Sequence, residues 1–309
     1  MIIPFGFLAL DKPEGITSHD CIKQLRKIYG IKRIGHGGTL DPAVTGVLPI
    51  AIGKATRLLQ FLPADKAYKG IIQLGTTTKS DDITGEIISE TSWPELEKET
   101  LEKYFEHFRG ELRQFPPQIS SIHFKGERAY KRARRGEIME LPSREINIYS
   151  LKIIKWNQHL GQIEIEVHCS SGTYIRSLAR DLGEKVGCGG CLRKLRRTKA
   201  LGLGVEQSIA LEDIFKSDKD ILSYLISPEK ALGFLPYIDL KTEEELLYWR
   251  RGREIRLPKA RINLKIKNDL EELQLSEILV KSNQSHVEGI GEWDHLFGLK
   301  PKIVLNGAG

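Results

Sequence analysis

The segment GHGGTLDPAVTG, residues 35–46, holds a single carboxylate, Asp41, among glycines and small residues. Glycines let a ligand approach the backbone closely, so a carboxylate in such a turn is accessible to a bulky substrate. An ionised aspartate can act there as a nucleophile or as a base. The alternative is an ordinary turn residue, and this segment alone leaves both interpretations open.

Two clusters of basic residues could bind the phosphate backbone of a nucleic acid. The segment HFKGERAYKRARRGE, residues 123–137, holds six Lys or Arg, and CLRKLRRTK, residues 191–199, holds five. The formal net charge of the chain is +6. One such cluster could equally be a solvated loop, whereas two in one chain favour nucleic-acid binding.

A C-x-x-C pair, Cys188 and Cys191, has the spacing of half a zinc site or of a redox pair. A structural zinc site needs four ligands, and the other two cysteines, Cys21 and Cys169, lie far away in helix and strand patterns. We therefore expect buried cysteines and no metal. The chain also has no dinucleotide glycine fingerprint and no P-loop.

The size and composition favour a large domain followed by a smaller one. The chain has 309 residues, of which 40% are hydrophobic, enough for a substantial core. No apolar run approaches the ~20 residues of a membrane span, and the N-terminus lacks the basic region and cleavage site of a secretion signal. We expect a cytoplasmic protein without membrane contact. In the absence of an evident interface stripe, we also expect a monomer.

The secondary-structure patterns mix helices and strands without a regular βαβ repeat. A helix is predicted to begin near Thr17 and to end at Gly30. Residues 162–169 alternate apolar and polar side chains, which is typical of a half-buried strand. A helix should follow, capped by residues 171–173 and ended by Gly187. These patterns predict an α+β fold with a mixed or antiparallel sheet, not a doubly wound one.

Two further expectations concern the middle and the end of the chain. The strand that begins near Gly46 should lead into a helix carrying Leu58, Leu59 and Leu62. Near Pro236 the pattern changes to short apolar runs with glycines and charged turns. This change predicts a small, β-rich C-terminal domain.

Several segments, in order along nearly the whole chain, resemble the TruB-type transfer-RNA pseudouridine synthases. The Asp41 segment, extended as GHGGTLDPAVTGVLPIAIGKATRL, resembles the signature motif of that family. The other matching segments are KAYKGIIQLG, GTTTKSDDITGEI, SSGTYIRSLARDLG with LRKLRRT, QFPPQISSIHFKGERAYKRARRGE and VEGIGEWDHLFGLKP. Each motif alone would be weak evidence, but their shared order makes the resemblance specific.

The resemblance implies a reaction and a domain organisation. The reaction is the isomerisation of uridine 55 in the TΨC stem-loop of transfer RNA to pseudouridine, after the base has been flipped out of its stack. It needs no cofactor, because nothing is oxidised and nothing is transferred to water. The implied domains are a catalytic domain over 1–233, with an RNA-gripping insertion at about 123–150, and a PUA-like RNA-binding domain over 234–309.

Five residues match the active site of the family. Asp41 matches the catalytic residue, and Arg176 matches the arginine that pairs with it; a guanidinium nearby favours the charged form of a carboxylate. Tyr68 matches the tyrosine that stacks on the target base, and Tyr174 matches a second tyrosine in the site. Leu195 matches the apolar wall of the pocket.

Other residues are expected to bind the RNA. His36 matches the histidine that inserts into the RNA stack, Lys54 is placed for a phosphate contact, and Asp82 matches an acidic residue that helps recognise RNA in the pocket. Lys79 stands where an acidic residue is more usual, which leaves the role of its loop open. In the insertion, the residues expected to contact phosphates are Lys125, Arg128, Arg132 and Arg135.

Three alternative functions fit the sequence less well. The guide-RNA-dependent branch of the same superfamily lacks a large RNA-gripping insertion, which this chain has. An RNA-binding or RNA-folding module without catalysis would not need the set Asp41, Tyr68 and Arg176. A DNA-binding protein has only the basic clusters in its favour, since no recognition-helix motif is present.

Overall fold

The computed structural model describes residues 5–216, 220–264, 275–282 and 286–307. The first four residues, which belong to the segment assessed for a secretion signal, lie outside them. The strands are β1 Gly6–Lys12, β2 Ile34–His36, β3 Thr45–Ile52, β4 Lys66–Leu74, β5 Thr76–Thr78, β6 Ile87–Glu90, β7 Gly110–Gln114, β8 His123–Phe124, β9 Glu127–Arg128, β10 Arg144–Asn157, β11 Gln162–Cys169, β12 Gly190–Ala200, β13 Leu203–Gly204, β14 Ile209–Ala210, β15 Tyr237–Leu240, β16 Ile278–Ser282, β17 Val287–Asp294 and β18 Gly298–Val304. The helices are α1 Ser18–Tyr29, α2 Lys98–Glu106, α3 Ala129–Arg134, α4 Ile175–Val186, α5 Leu211–Lys216, α6 Pro228–Ala231 and α7 Glu243–Arg250. None of the described helices is long and apolar enough to cross a membrane.

A large mixed sheet dominates the structure. Within the described residues it has ten strands, whose main path runs β14-β1-β3-β12-β4-β11-β10-β7, while β2 pairs with β3 and β13 pairs with β12. Most neighbours are antiparallel, but β3 and β12 run parallel, as do β1 and β14. The predicted α+β fold with a mixed sheet is therefore confirmed.

The core lies between one face of this sheet and the helices α1, α2 and α4. In β11 the predicted alternation is confirmed, since Ile163, Ile165 and Val167 are buried. The apolar side of α4, with Leu178 and Leu182, packs on β12 and β4 and joins the same cluster. Burying apolar surface on this face drives the strands and helices together, and it holds α4 against β4 and β12.

The ends of α1 agree with the sequence pattern. Thr17 is the N-cap and forms a capping box with Asp20, while Gly30 ends the helix in the left-handed conformation with a φ of 64°. The capping box satisfies backbone N–H groups that the helix itself leaves unpaired. The structure therefore places Ser18, the first residue of the helix, at a fixed position behind the Asp41 loop.

Two local predictions were wrong. α4 is not capped by residues 171–173; its N-cap is Tyr174. The Tyr174 N–H donates to the carboxamide oxygen of Gln114 at 2.8 Å, and the Gln114 carboxamide N–H donates to the Tyr174 carbonyl at 3.0 Å.

After β3 there are two 3-10 helices, Gly53–Arg57 and Leu59–Phe61, in place of the predicted α-helix. Pro63 disfavours helical backbone at the residue before it, and Leu62 is accordingly extended, which ends the helical segment.

In the described part of the chain after residue 236, a four-stranded sheet in the order β15-β16-β17-β18 forms a β-rich C-terminal unit. Its own core includes the fully buried Trp249 of α7. Ile290 and Ile303 also share a cluster with Phe7 and Val47 of the main sheet, so the unit packs directly on that sheet. The predicted boundary at 233/234 falls between α6 and β15 and stays a prediction.

The basic insertion forms a small unit of its own. A hairpin of β8 and β9 leads into α3, and the unit encloses Ala129, Met139 and Leu141 in a separate apolar cluster. The last residues of the predicted span 123–150 lie in β10, which begins at Arg144 and pairs with β7 and β11. The unit thus stands on the edge of the main sheet.

Candidate active site

A cleft of about 220 Å³ opens where the loop between β2 and β3 meets the first residues of β4, the middle of β12 and the start of α4. The five residues predicted for the active site come from four separate parts of the fold, yet all five line this cleft. The lining residues are Thr39, Leu40, Asp41, Val44, Lys66, Tyr68, Ser121, Gly172, Thr173, Tyr174, Ile175, Arg176 and Leu195. The site is therefore assembled by the pairing of strands that lie far apart in the sequence.

Asp41 is paired with Arg176, as the sequence predicted. An Nη of Arg176 lies 3.0 Å from the Asp41 carboxylate, whose side chain is 47% exposed, whereas that of Arg176 is 9% exposed. Arg176 also donates to the carbonyls of Ser80 at 2.8 Å and Ile119 at 2.9 Å, and it lies 3.6 Å from the carboxylate of Asp82. The guanidinium is thus fixed from several sides, and the carboxylate it holds is open to the cleft.

Tyr68, Leu195 and Tyr174 give the cleft its apolar surface. Tyr68 and Leu195 are largely buried, on the neighbouring strands β4 and β12. Burial raises the pKa of the Tyr68 phenol to about 12, although the Arg197 guanidinium beside it acts in the opposite direction. Burial also raises the pKa of Tyr174. Both phenols are therefore neutral near pH 7, and Tyr68 presents a ring and an uncharged hydroxyl.

The Asp41 loop is held by side chains from three other elements. The hydroxyl of Ser18, in α1, accepts from the N–H of Leu40 at 2.8 Å and donates to its carbonyl at 3.1 Å. The ammonium of Lys12, at the end of β1, is buried and donates to the carbonyl of Pro42 at 3.1 Å. Asp41 is thus bracketed by two fixed neighbours, which sets its position before any ligand binds.

Arg197 supplies the third support. It is fully buried in β12 and donates to the carbonyls of Val47 at 2.7 Å and Gly38 at 3.1 Å. Burial lowers the pKa of this arginine. A guanidinium that satisfies backbone carbonyls on both sides of the Asp41 turn acts as an internal brace.

Two family profiles match consecutive parts of the chain. Residues 26–175 match the TruB family pseudouridylate synthase (N terminal domain), and residues 176–232 match the tRNA pseudouridylate synthase B C-terminal domain. A protein of Prochlorococcus marinus named tRNA pseudouridine synthase B is 53% identical, over 99% of this chain and 99% of its own. The chain belongs to the TruB family. A protein of the same name from Parasynechococcus marenigrum is 49% identical, again over 99% of both chains.

Solved structures share the fold of this TruB-family chain. The "Crystal Structure of a Cbf5-Nop10-Gar1 Complex" gives a TM-score of 0.72 at 24% identity, with 98% of this chain and 85% of that chain covered. The "Structure of H/ACA RNP bound to a substrate RNA containing 2'-deoxyuridine" gives 0.69 at 24% identity, covering 97% and 85%. At this identity the likeness establishes the fold alone.

Three residues that match TruB motifs lie outside the cleft lining. His36 ends β2, and its Nδ1 accepts from the N–H of Gly38 at 3.4 Å. Lys54 is exposed on the first 3-10 helix and donates to Asn306 at 2.7 Å. The Asp82 carboxylate accepts from Ser80 at 2.9 Å and lies behind Arg176. Their RNA-binding roles stay predictions.

The basic residues of the insertion are partly paired within it. Arg132 contacts Glu137 at 2.7 Å, and Arg135 contacts Glu127 at 2.7 Å and Glu137 at 2.9 Å. Arg128 donates to a backbone carbonyl, and Lys125 lies 5.4 Å from the centroid of the Phe124 ring. The four predicted contact residues therefore gather on one small unit, but two of them already have carboxylate partners.

The second basic cluster differs from the prediction. Its interpretation as an outward phosphate-binding surface is wrong for Arg197, which is fully buried, and Arg196 is bound by Asp11 at 2.6 Å. The reason is that β12 lies in the middle of the sheet, so alternate side chains point into the protein. Arg197, which the sequence pattern did not identify, thus supports the TruB signature loop.

The cysteines lie away from any arrangement that could bind a metal. Cys21, Cys169, Cys188 and Cys191 are all buried thiols. Burial raises the pKa of Cys169 and of Cys191 to about 11. In the described ranges, no group of three or more His, Cys, Asp or Glu side chains could hold a metal ion.

Proposed function

We propose that this protein isomerises uridine 55 in the TΨC loop of transfer RNA to pseudouridine, with Asp41 as the catalytic carboxylate. The observation that carries the proposal is the shared cleft of Asp41, Arg176 and Tyr68. It occurs in a chain about half identical, over its whole length, to proteins named tRNA pseudouridine synthase B. The reaction breaks the N1–C1′ bond, turns the base and joins C5 to C1′; the proton that C5 loses goes to solvent, and N1 takes up a proton.

The geometry of the cleft suits a flipped uridine. Tyr68 provides a flat surface for stacking on the base, and Leu195 limits the space beside it. Asp41 faces the open side, where the ribose and the N1–C1′ bond would lie, and Arg176 keeps it in place. When RNA covers the cleft, water is excluded and the electrostatic interactions inside become stronger.

His36 is suited to fill the gap that the flipped base leaves. Burial lowers the pKa of its imidazole, and the nearby Arg197 lowers it further. The ring is therefore uncharged near pH 7, which makes stacking between bases less costly than for a charged group. Taking a base out of a folded loop costs a few kcal/mol, and an inserted ring restores part of the lost stacking.

The RNA-binding surface extends from the cleft to the insertion. Exposed ion pairs contribute only ~0.2–1 kcal/mol each, so phosphates can replace Glu127 and Glu137 as partners of Arg132 and Arg135. We infer a clamp that exchanges internal pairs for RNA contacts. Lys54 and the exposed arginines of the basic segment 248–256 in the C-terminal unit, Arg251, Arg253 and Arg256, would contact further phosphates. We also propose that the enzyme acts as a monomer in the cytoplasm.

Replacing Lys125, Arg128, Arg132 and Arg135 together with alanine is expected to weaken transfer RNA binding and to flatten its salt dependence. Each lost phosphate contact should reduce the slope of log K against log salt by about 0.7–0.9. Filter binding at several salt concentrations measures this slope, with Lys216→Ala, an exposed lysine of α5, as the control. An unchanged slope would contradict the clamp.

The reaction itself is tested with a transfer RNA transcript labelled with tritium at C5 of its uridines. We expect release of one tritium per RNA, and no release from a transcript with cytidine at position 55. Release that persists in the cytidine transcript would place the target elsewhere. No release from either transcript would contradict the proposed activity.

A further inference from the structure

A lysine that the sequence analysis did not single out lies in the same cleft. Lys66 is the first residue of β4, and it lines the cleft together with Tyr68. Residues two apart on a strand point to the same side, which places both side chains over the substrate space. A Cβ built on Gly38 would lie 3.9 Å from the Lys66 Nζ and 3.6 Å from an Nη of Arg197. The ammonium thus lies against the loop that carries Asp41.

The surroundings of Lys66 are poor in negative charge. Burial lowers the pKa of its ammonium, and the neighbouring Arg197 cation lowers it further, while the Cys169 thiol acts weakly in the opposite direction. Asp41 is engaged with Arg176, and Asp65, the preceding residue along the chain, is engaged with His168 and Lys199. Among the described residues, no carboxylate forms an ion pair with Lys66.

This arrangement differs from that of the other cation in the cleft. Arg176 is largely buried too, but it has two carboxylates and two carbonyls as partners. A half-buried ammonium beside a second cation is costly unless an anion completes the site. A ligand that brings an anionic oxygen would complete this site.

We propose that Lys66 binds an anionic oxygen of the bound nucleotide, an inference that rests on the proposed function. Two oxygens of the substrate fit this chemistry. One belongs to a backbone phosphate beside the flipped nucleotide. The other belongs to the uracil: when N1–C1′ breaks with both electrons leaving on the base, negative charge spreads from N1 to the carbonyl oxygens until C5 bonds to C1′.

The test uses Lys66→Met and Lys66→Arg in the full-length protein, with Lys69→Met as the matched control. Lys69 lies on the same strand but is exposed and paired with Glu166 at 2.8 Å. Each variant is assayed for transfer RNA binding at several salt concentrations and for single-turnover tritium release at saturating RNA. Removing a poorly solvated charge should not unfold the protein, and a thermal melt checks this. Should Lys66→Met melt early, Lys66→Gln replaces it.

The two sources of the oxygen give different results. A phosphate contact predicts weaker binding for Lys66→Met and a salt slope reduced by about 0.7–0.9, with the saturating rate unchanged. Contact with the developing base anion predicts unchanged binding and a rate about 10²-fold lower, partly restored in Lys66→Arg. If Lys66→Met matches Lys69→Met within twofold in both measurements, the assignment is overturned. In that case the wild-type protein would still convert uridine to pseudouridine. If the proposed function itself were wrong, the wild-type protein would be inactive.

Discussion

Replacing Asp41 with asparagine is expected to abolish pseudouridine formation while leaving transfer RNA binding within about threefold of the wild type. Asparagine keeps the shape of the side chain and can still accept from Arg176, but it is neither a charged nucleophile nor a base. By comparison with removal of other catalytic residues, the single-turnover rate should fall by more than ~10⁴-fold. Tritium release measures the rate, and filter binding measures the affinity.

The fold should survive this change, because the Asp41 side chain is 47% exposed and Arg176 keeps its other partners. Asp213→Asn is the matched control, since it makes the same chemical change at an exposed site of α5. Asp41→Ala guards against slow deamidation of the introduced asparagine. Full activity in Asp41→Ala would refute the catalytic role.

Local sequence patterns predicted the elements that carry the site. The capping residue of α1 and the alternation in β11 depend on neighbours only a few positions away, so they can be recognised without the fold. The N-cap of α4 could not be predicted in this way. There Gln114, sixty positions earlier in the chain, binds Tyr174. A contact between distant segments has no local signature.

The motifs predicted which side chains share the cleft, but not what holds them there. The segment LRKLRRT alone does not predict that Arg197 is buried while Arg196 is partly exposed. The position of β12 within the sheet determines this difference. Lys66 could have been found, because its place two residues before Tyr68 on a strand puts both on one side. In the insertion, the pairing of Arg135 with Glu127 depends on the β8–β9 turn.

The supports of the Asp41 loop explain why a half-exposed carboxylate can have a defined position. Ser18, Lys12 and Arg197 each bind backbone atoms of the loop, so the carboxylate itself remains unencumbered apart from Arg176. An enzyme gains rate from groups fixed before the substrate arrives. In this cleft, Asp41 is held in position mainly by hydrogen bonds to the main chain of its loop.

Replacing Arg176 with lysine is expected to impair turnover far more than binding. Lysine keeps the positive charge, but a single ammonium cannot serve Asp41, Asp82 and the carbonyls of Ser80 and Ile119 at once, as the planar guanidinium does. Asp41 would then lose its orientation, and the saturating single-turnover rate should fall about 10²–10³-fold. The dissociation constant for transfer RNA should change by less than about threefold, because the cation count of the surface is preserved.

Arg180→Lys is the matched control for this experiment. Arg180 lies one turn further along α4 and is held by Asp81 at 2.8 Å and Asp181 at 2.7 Å, but it does not line the cleft. Both substitutions remove a partly buried guanidinium from the same helix, so a loss of stability common to both appears in their thermal melts. A rate loss confined to Arg176→Lys then reports on the contact with Asp41. If Arg176→Lys lowered affinity alone and turned over bound RNA at the wild-type rate, its assigned role beside Asp41 would be wrong.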